Sequence, residues 1–188
     1  MQTIKKNKIT FIIPSINRDT LGRSIDSLIR QTNPNWECII IFDGVDGIEF
    51  DDERIKIIRS EKLGGNSPYH GISGLVRNVG LDLVDTEWIG FLDDDDTLDT
   101  TYVDTLFGKY SDYDFVIWRM IYPNGNTLPK TNSIAFGNVG ISYCYKNIHK
   151  NLKFDSNRDG EDFDFLLKLQ SLSKNYMFAP EVLYKINH

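Results

Sequence analysis

The apolar run Trp88-Ile89-Gly90-Phe91-Leu92 passes without a break into four aspartates, Asp93 to Asp96, and few folds can hold such a junction. A run this short, aromatic and branched, opened by the polar Asp85-Thr86-Glu87, reads as a buried strand. Carboxylates crowded at its carboxyl end repel one another and cost stability unless a cation or a donor network compensates them. In open α/β sheets, ligands bind in the crevice beyond the strand ends. The junction therefore predicts a divalent metal holding a phosphorylated substrate. The competing reading is a solvated acidic turn in which an aspartate near Thr97-Leu98-Asp99 starts a helix, although a cap uses one carboxylate and not four.

The rest of the chain supplies a setting for such a strand. Ile9 to Ile13 reads as a first strand, broken by Pro14. Leu21, Ile25, Leu28 and Ile29 then recur at helical spacing, with Asp19 or Thr20 as cap and Asn33-Pro34 as stop. Glu37 to Phe42 is a second strand ending in Asp43-Gly44, and Ile55 to Ile58 a short third one. Leu63 to Pro68 is a loop, and Ile72, Leu75, Val76, Val79 and Leu83 mark one face of a second helix. The first hundred residues thus read β-α-β-β-α-β, with strands apolar enough to be covered by helices on both faces. Beyond them, Tyr102 to Tyr110 looks helical and Phe115 to Met120 is a strand. Pro123 to Ser133 is a polar hairpin or loop, and Ile141 to Tyr145 a strand. Phe163 to Leu172 is a helix, and Tyr176 to Ile186 holds one or two strands. No linker or repeat divides the chain, so residues 1–188 are expected to form one domain.

Composition narrows the functional classes. The chain has 188 residues, 40% hydrophobic and 26% charged, which suits a soluble globular domain. A net charge of -6 argues against a general binder of nucleic acid or anionic membrane. The longest early apolar stretch, Ile9 to Ile13, falls far short of the roughly 20 residues a membrane span needs, so no integral membrane segment is expected. The two cysteines, Cys38 and Cys144, lack metal-ligand spacing and read as buried thiols. A cytoplasmic location follows, with membrane contact only through a substrate or partner.

If the sheet is doubly wound, three strand ends share one edge: Pro14-Ser15-Ile16-Asn17-Arg18, then Asp43, then Asp93 to Asp96. Asp43 could accept hydrogen bonds from a base or ribose, or simply make an Asp-Gly turn. Arg77, on the helix feeding the acidic strand, could offer a forked donor to phosphate, or lie solvated on the surface. A second acidic cluster, Asp159-Gly160-Glu161-Asp162-Phe163-Asp164, opens a helix, where the dipole favours carboxylates whatever the function. A base is nevertheless needed to take a proton from an acceptor hydroxyl, and Asp162 across the cleft could serve. Asp155 to Gly160 mimics the start of a calcium-binding loop, but Leu166 stands where a bidentate Glu is required, so that reading fails. His70 and His149 read as surface or loop residues, and His188 as a bland terminal histidine.

Taken in order, these features resemble the family-2 glycosyltransferases. The match runs from Ile12-Ile13-Pro14-Ser15-Ile16-Asn17-Arg18 through Ser27 to Pro34, Trp36-Glu37 and Asp43-Gly44. It continues in Val76-Arg77-Asn78-Val79-Gly80-Leu81, Phe91-Leu92-Asp93-Asp94-Asp95-Asp96, Gly160-Glu161-Asp162-Phe163-Asp164, and Leu183-Tyr184-Lys185 through His188. The resemblance implies a single-domain GT-A fold, α/β, with a Rossmann-like, mostly parallel central sheet flanked by helices. It implies inverting transfer from a nucleotide-sugar donor, UDP-sugar favoured, to a glycan, lipid-linked or protein acceptor, with Mn²⁺ or Mg²⁺ as cofactor and no nucleic-acid partner. By the same resemblance, Asp93 and Asp95 fall on the DxD motif, with Asp96 and His188 as further metal ligands. Pro14, Ser15, Asn17, Arg18, Asp43, Arg77, Asp93 and Asp94 fall among the donor-binding positions. Asp162, or its neighbour Glu161, falls on the general base. Ile16 stands where an aromatic residue is common, and Phe42 where an acidic pair usually begins. A nucleotidyltransferase on a similar scaffold is the rival enzyme, and would advertise a glycine-rich basic loop in place of Ser15 to Asp19. A non-catalytic nucleotide- or carbohydrate-binding module is the rival without chemistry.

Overall fold

The computed structural model describes residues 4–66, 71–149, 151–155 and 159–188. Its framework is a sheet of nine strands. Strand β1 (Lys5–Ser15) pairs in parallel with β2 (Trp36–Asp43), which pairs in parallel with β3 (Ile55–Ser60). On the other side of β1 lies β6 (Thr86–Phe91), again parallel. A small antiparallel pair, β4 (Gly65–Asn66) and β5 (Gly71–Ile72), stands apart from the sheet.

Beyond β6 the sheet turns mixed. Strand β10 (Tyr143–Lys146) sits antiparallel between β6 and β8 (Phe115–Ile121). Strand β11 (Tyr176–Lys185) then runs parallel to β8, and β7 (Thr97–Leu98) closes the edge antiparallel to β11. Strand β9 (Thr127–Leu128) folds back on β8 as the hairpin anticipated between Pro123 and Ser133. Two reversals across β10 cancel, so β8 and β11 point the same way as β1, β2, β3 and β6. The α/β architecture holds, with parallel pairing concentrated in the amino-terminal half.

Among the described residues, four α-helices pack around this sheet: α1 (Leu21–Ile29), α2 (Gly74–Leu81), α3 (Tyr102–Thr105) and α4 (Glu161–Leu172). The segment expected to be helical from Tyr102 to Tyr110 is so, but its second half, Leu106–Tyr110, is π-helical. Helix α2 lies on β1 and β2. Gly80 allows that approach, since a Cβ there would come within 2.7 Å of Ile12 Cγ2. Phe91 is held edge-on by Tyr143, Phe154 and Phe165 at centroid distances of 5.6, 5.5 and 5.8 Å, which fixes α4 over the end of β6. Each such contact adds about 0.5–1.5 kcal/mol beyond area burial.

Several local expectations are corrected. Pro14 does not break β1, which begins at Lys5 and runs on to Ser15. Ile12 O faces β6, where it accepts from Leu92 N, so alternation turns the Pro14 nitrogen the same way. Pairing with β6 has ended at Ile12↔Phe91, and the missing N–H therefore forfeits no ladder bond. Ile72 lies in β5 and Leu83 beyond the end of α2, where it is exposed, so neither belongs to that helix face. Ile29 closes α1 but is exposed. Strand β3 is only half-buried, in contrast to β1 and β2. The Thr97-Leu98-Asp99 stretch starts no helix; Thr97 and Leu98 form β7. Cys38 and Cys144 are free and buried as expected. His70 and the Ser156-Asn157-Arg158 part of the rejected calcium-loop mimic lie outside the described residues.

Candidate active site

Strand direction gathers the chemistry at one rim. Strands β1, β2, β6, β8 and β11 all deliver their carboxyl ends there. A helix returning antiparallel to such strands begins at the same rim, which is why the starts of α2 and α4 stand beside the aspartates. Between them lies a pocket of about 570 Å³, within the usual range for small-molecule sites. It is lined by Pro14, Ser15, Ile16, Arg18, Asp43, Arg77, Asp93 to Asp96, Glu161, Asp162 and His188, among others.

Arg77 organises the centre. Its guanidinium, only 5% exposed, reaches Asp93 Oδ1 at 2.6 Å and Glu161 Oε1 at 3.2 Å, tying the end of β6 to the start of α4. Burial opposes its charge, but Asp93 and Glu161 outweigh that and push its pKa upward. It is therefore no solvated surface arginine. Glu161 also accepts from Ser73 N at 3.1 Å; burial raises its pKa and Arg77 restrains the rise.

The four aspartates are used differently. Asp93 pairs with Arg77, and its own N–H donates to the Tyr184 hydroxyl at 3.2 Å. Asp94 accepts from Ser15 Oγ at 2.7 Å, and burial still raises its pKa. Asp95 and Asp96 combine with His188 into a cluster whose ligand atoms lie within 4.8 Å of one another. Asp96 is 1% exposed; Oδ1 accepts from Asn187 N at 3.2 Å, while Oδ2 is buried with no partner of hydrogen-bonding geometry. Burial, then the charges of Asp93 and Asp95, lift its pKa to about 8, although the nearby Tyr184 hydroxyl favours the ionised form. A buried carboxylate oxygen without a donor, beside a second carboxylate and an imidazole, fits a hard or borderline divalent cation.

Asp162 sits on the first turn of α4 behind Gly160, whose φ of +83° suits glycine. Its Oδ1 accepts from Phe163 N at 2.8 Å. Oδ2 faces Gly140, where a Cβ would come within 2.9 Å of Met120 Cε and into ordinary contact with the carboxylate at 3.7 Å. Burial raises the pKa of Asp162, against the pull of Phe163 N and Arg77. Unlike Glu161, it makes no ion pair with Arg77 among the described contacts.

Residues 10–175 match Glycosyl transferase family 2. The chain belongs to that family. The poly(ribitol-phosphate) beta-N-acetylglucosaminyltransferase TarP of Staphylococcus aureus is 29% identical over 95% of this chain and 62% of its own length. A GalNAc(5)-diNAcBac-PP-undecaprenol beta-1,3-glucosyltransferase of Campylobacter jejuni is 31% identical over 95% of this chain and 65% of its own. Glycosyltransferase GlyA of Streptococcus pneumoniae is 30% identical over 80% of this chain, which spans only 21% of it. Among solved structures, S. aureus TarS superposes with a TM-score of 0.77 at 17% identity, over 96% of this chain and 37% of that one. TarS 1-349 in complex with UDP-GlcNAc gives 0.71 at 16% identity, over 95% and 58%. These neighbours carry the GT-A fold to this family member, whose chain spans less than two thirds of the length of each relative named here.

Within the family-2 chain, most residues singled out from the sequence do meet in the pocket. Asn17 does not line it; the residue is exposed at φ +62°, and its N–H donates to Ser15 Oγ at 2.9 Å, shaping the turn. Asp43 lines the rim, yet its carboxylate is taken up by Lys62 Nζ at 2.7 Å, Leu63 N at 2.5 Å and Gly64 N at 3.0 Å. Asp93 stands outside the Asp95-Asp96-His188 cluster, held by Arg77. His188 is no bland terminus, for Nδ1 lies 3.7 Å from Asp95 and 3.6 Å from Asp96. Sequence reading missed Tyr184, on β11, and Asn187, two residues beyond the strand's end, which support the aspartates. Asn187 Nδ2 donates to the Asp95 carbonyl at 3.3 Å and to Thr97 Oγ1 at 3.2 Å. No pattern marks an asparagine for such bracing.

Proposed function

We propose that this chain transfers a sugar from a nucleoside-diphosphate-sugar, UDP-sugar favoured, to an acceptor hydroxyl with inversion at the anomeric carbon. The observation that carries the reading is one pocket holding both the Asp95-Asp96-His188 cluster and Asp162, a half-buried carboxylate outside the Arg77 ion pairs among the described contacts. TarS solved with UDP-GlcNAc, a match over nearly the whole chain, supports the donor class. The undecaprenol-linked substrate in the name of the C. jejuni relative supports a lipid-linked acceptor over a glycan or protein one.

Asp95, Asp96 and His188 would hold Mn²⁺ or Mg²⁺, which supplies neutralisation of the charge gathering on the departing diphosphate. The chain's own residues do the remainder. Arg77 holds Asp93 and Glu161 in place and keeps Asp162 more ionised than its burial alone would allow. Asp162 Oδ2 takes the acceptor proton as the new C–O bond forms and the bond from the anomeric carbon to the diphosphate oxygen breaks, giving the nucleoside diphosphate and the glycoside. Gly140 leaves the space in which the hydroxyl can approach. No helix of the described residues is long and apolar enough to cross a membrane. The undecaprenol-linked substrates in the names of two relatives support a cytoplasmic location peripheral to a membrane through the acceptor.

General-base contributions amount to about 10²–10⁴-fold. Asp162→Asn should lower transfer by that factor while UDP affinity, read by calorimetry, stays at the parental value. Transfer at the parental rate by folded Asp162→Asn would falsify the assignment.

A further inference from the structure

We infer that Arg18 is an exchangeable counter-ion of the acidic run: it competes with a bound divalent cation for Asp95 Oδ2 and, once released, grips the donor's diphosphate. The inference rests on the proposed metal-dependent reading of the same pocket and adds a role within it. Arg18 Nη1 donates to Asp95 Oδ2 and lies 3.3 Å from Asp94 Oδ1. That same Asp95 Oδ2 is the atom 3.7 Å from His188 Nδ1, so the guanidinium and the three-residue cluster share one oxygen. Two cations drawn to one carboxylate oxygen repel each other, and occupancy by one lowers affinity for the other.

The surroundings let this cation move while its anchor stays. The Arg18 carbonyl accepts from Leu21 N at 3.1 Å, and the turn before it is set by Asn17 and Ser15. The side chain is 42% exposed, whereas Arg77 at 5% is locked between two carboxylates. Asp95 does not depend on Arg18 for its position, because Arg23 Nη2 and Asn187 Nδ2 both hold its carbonyl, at 2.9 and 3.3 Å. A planar fork on a long stem at the pocket wall matches a diphosphate oxygen pair better than an ammonium would.

The test uses the full chain, with free Mn²⁺ followed by electron paramagnetic resonance and UDP binding followed by calorimetry at saturating Mn²⁺. Arg18→Gln should bind Mn²⁺ about tenfold more tightly and UDP about tenfold more weakly, and Arg18→Lys should fall between it and the parent in both. Because Arg18 is half-exposed, circular dichroism should show both variants folded. Unchanged or weaker Mn²⁺ binding by Arg18→Gln overturns the competition, and unchanged UDP binding overturns the transfer to diphosphate. If Asp95→Asn abolishes Mn²⁺ binding while Arg18→Gln leaves it alone, only this inference falls. A parent protein that binds no Mn²⁺ overturns both this inference and the metal-dependent reading beneath it.

Discussion

Two strand ends on the same rim, those of β2 and β6, carry aspartates with opposite fates. At the end of β2, Asp43 accepts from Lys62, Leu63 N and Gly64 N. Burial would raise its pKa, but these donors prevail and hold it below the ordinary carboxylate range. At the end of β6, Asp94 and Asp96 have too few donors, and burial leaves their pKa values high. The same residue type in the same topological place has its charge answered by the chain itself at one strand end and is left short of donors at the other.

The largest effect should separate the two ends in turnover. On the proposed metal-dependent reading, Asp95→Ala removes a ligand of an ion worth several kcal/mol to the departing charge, so transfer should drop by at least about a hundredfold. Asp43→Ala should change turnover no more than about threefold, since its carboxylate serves a loop. Equal losses in the two variants would erase the distinction. Arg77→Met leaves Asp93 and Glu161 as unpaired charges, and should cost about 3–5 kcal/mol in urea unfolding at neutral pH. A cost below about 1 kcal/mol would mean that solvent already screens that centre. Asp43→Ala should cost about 1–3 kcal/mol, because it orphans two backbone N–H groups.

The finest comparison is in pH. A depressed pKa such as that of Asp43 contributes stability above its unfolded value, lost as pH falls through the folded one. A raised pKa acts oppositely: between the ordinary aspartate value and about 8, folded Asp96 holds a proton that the unfolded chain has released. Its contribution is therefore full at low pH and lost as pH rises through that window. With EDTA present, Asp96→Asn should flatten the fall in stability from pH 5 to pH 8, while Asp43→Ala should leave that slope unchanged. Parallel curves for parent and Asp96→Asn would contradict the burial argument.

Much of this was legible beforehand for identifiable reasons. Strands such as β1, β2 and β8 are apolar on both faces, and the acidic run announces a strand end. The start of β1 at Lys5, ahead of the expected Ile9, was hidden because Lys5 and Lys8 find their common partner in Glu37, 32 and 29 residues on. The β4–β5 pair has two residues per strand and offers no periodicity. The assignment of roles within Asp93 to Asp96 was beyond sequence, since it depends on Arg77 arriving from α2 and on Tyr184 and Asn187 arriving from β11 and the residues just past it. Asp43 illustrates the same gap, because its competitor for ligand binding is the chain's own backbone at residues 63 and 64.

The reversed strand β10 has an architectural corollary. Since β8 runs towards the rim and β10 away from it, the stretch from Tyr122 to Ser142 joins two strand ends on the side of the pocket where Asp162 stands. Apart from β9, which pairs with β8, and the buried Val139, Ile141 and Ser142, such a span can lengthen, shorten or change its side chains without displacing a neighbour in the sheet. Alterations there would reshape what approaches Asp162 while leaving the opposite, parallel wall as it was.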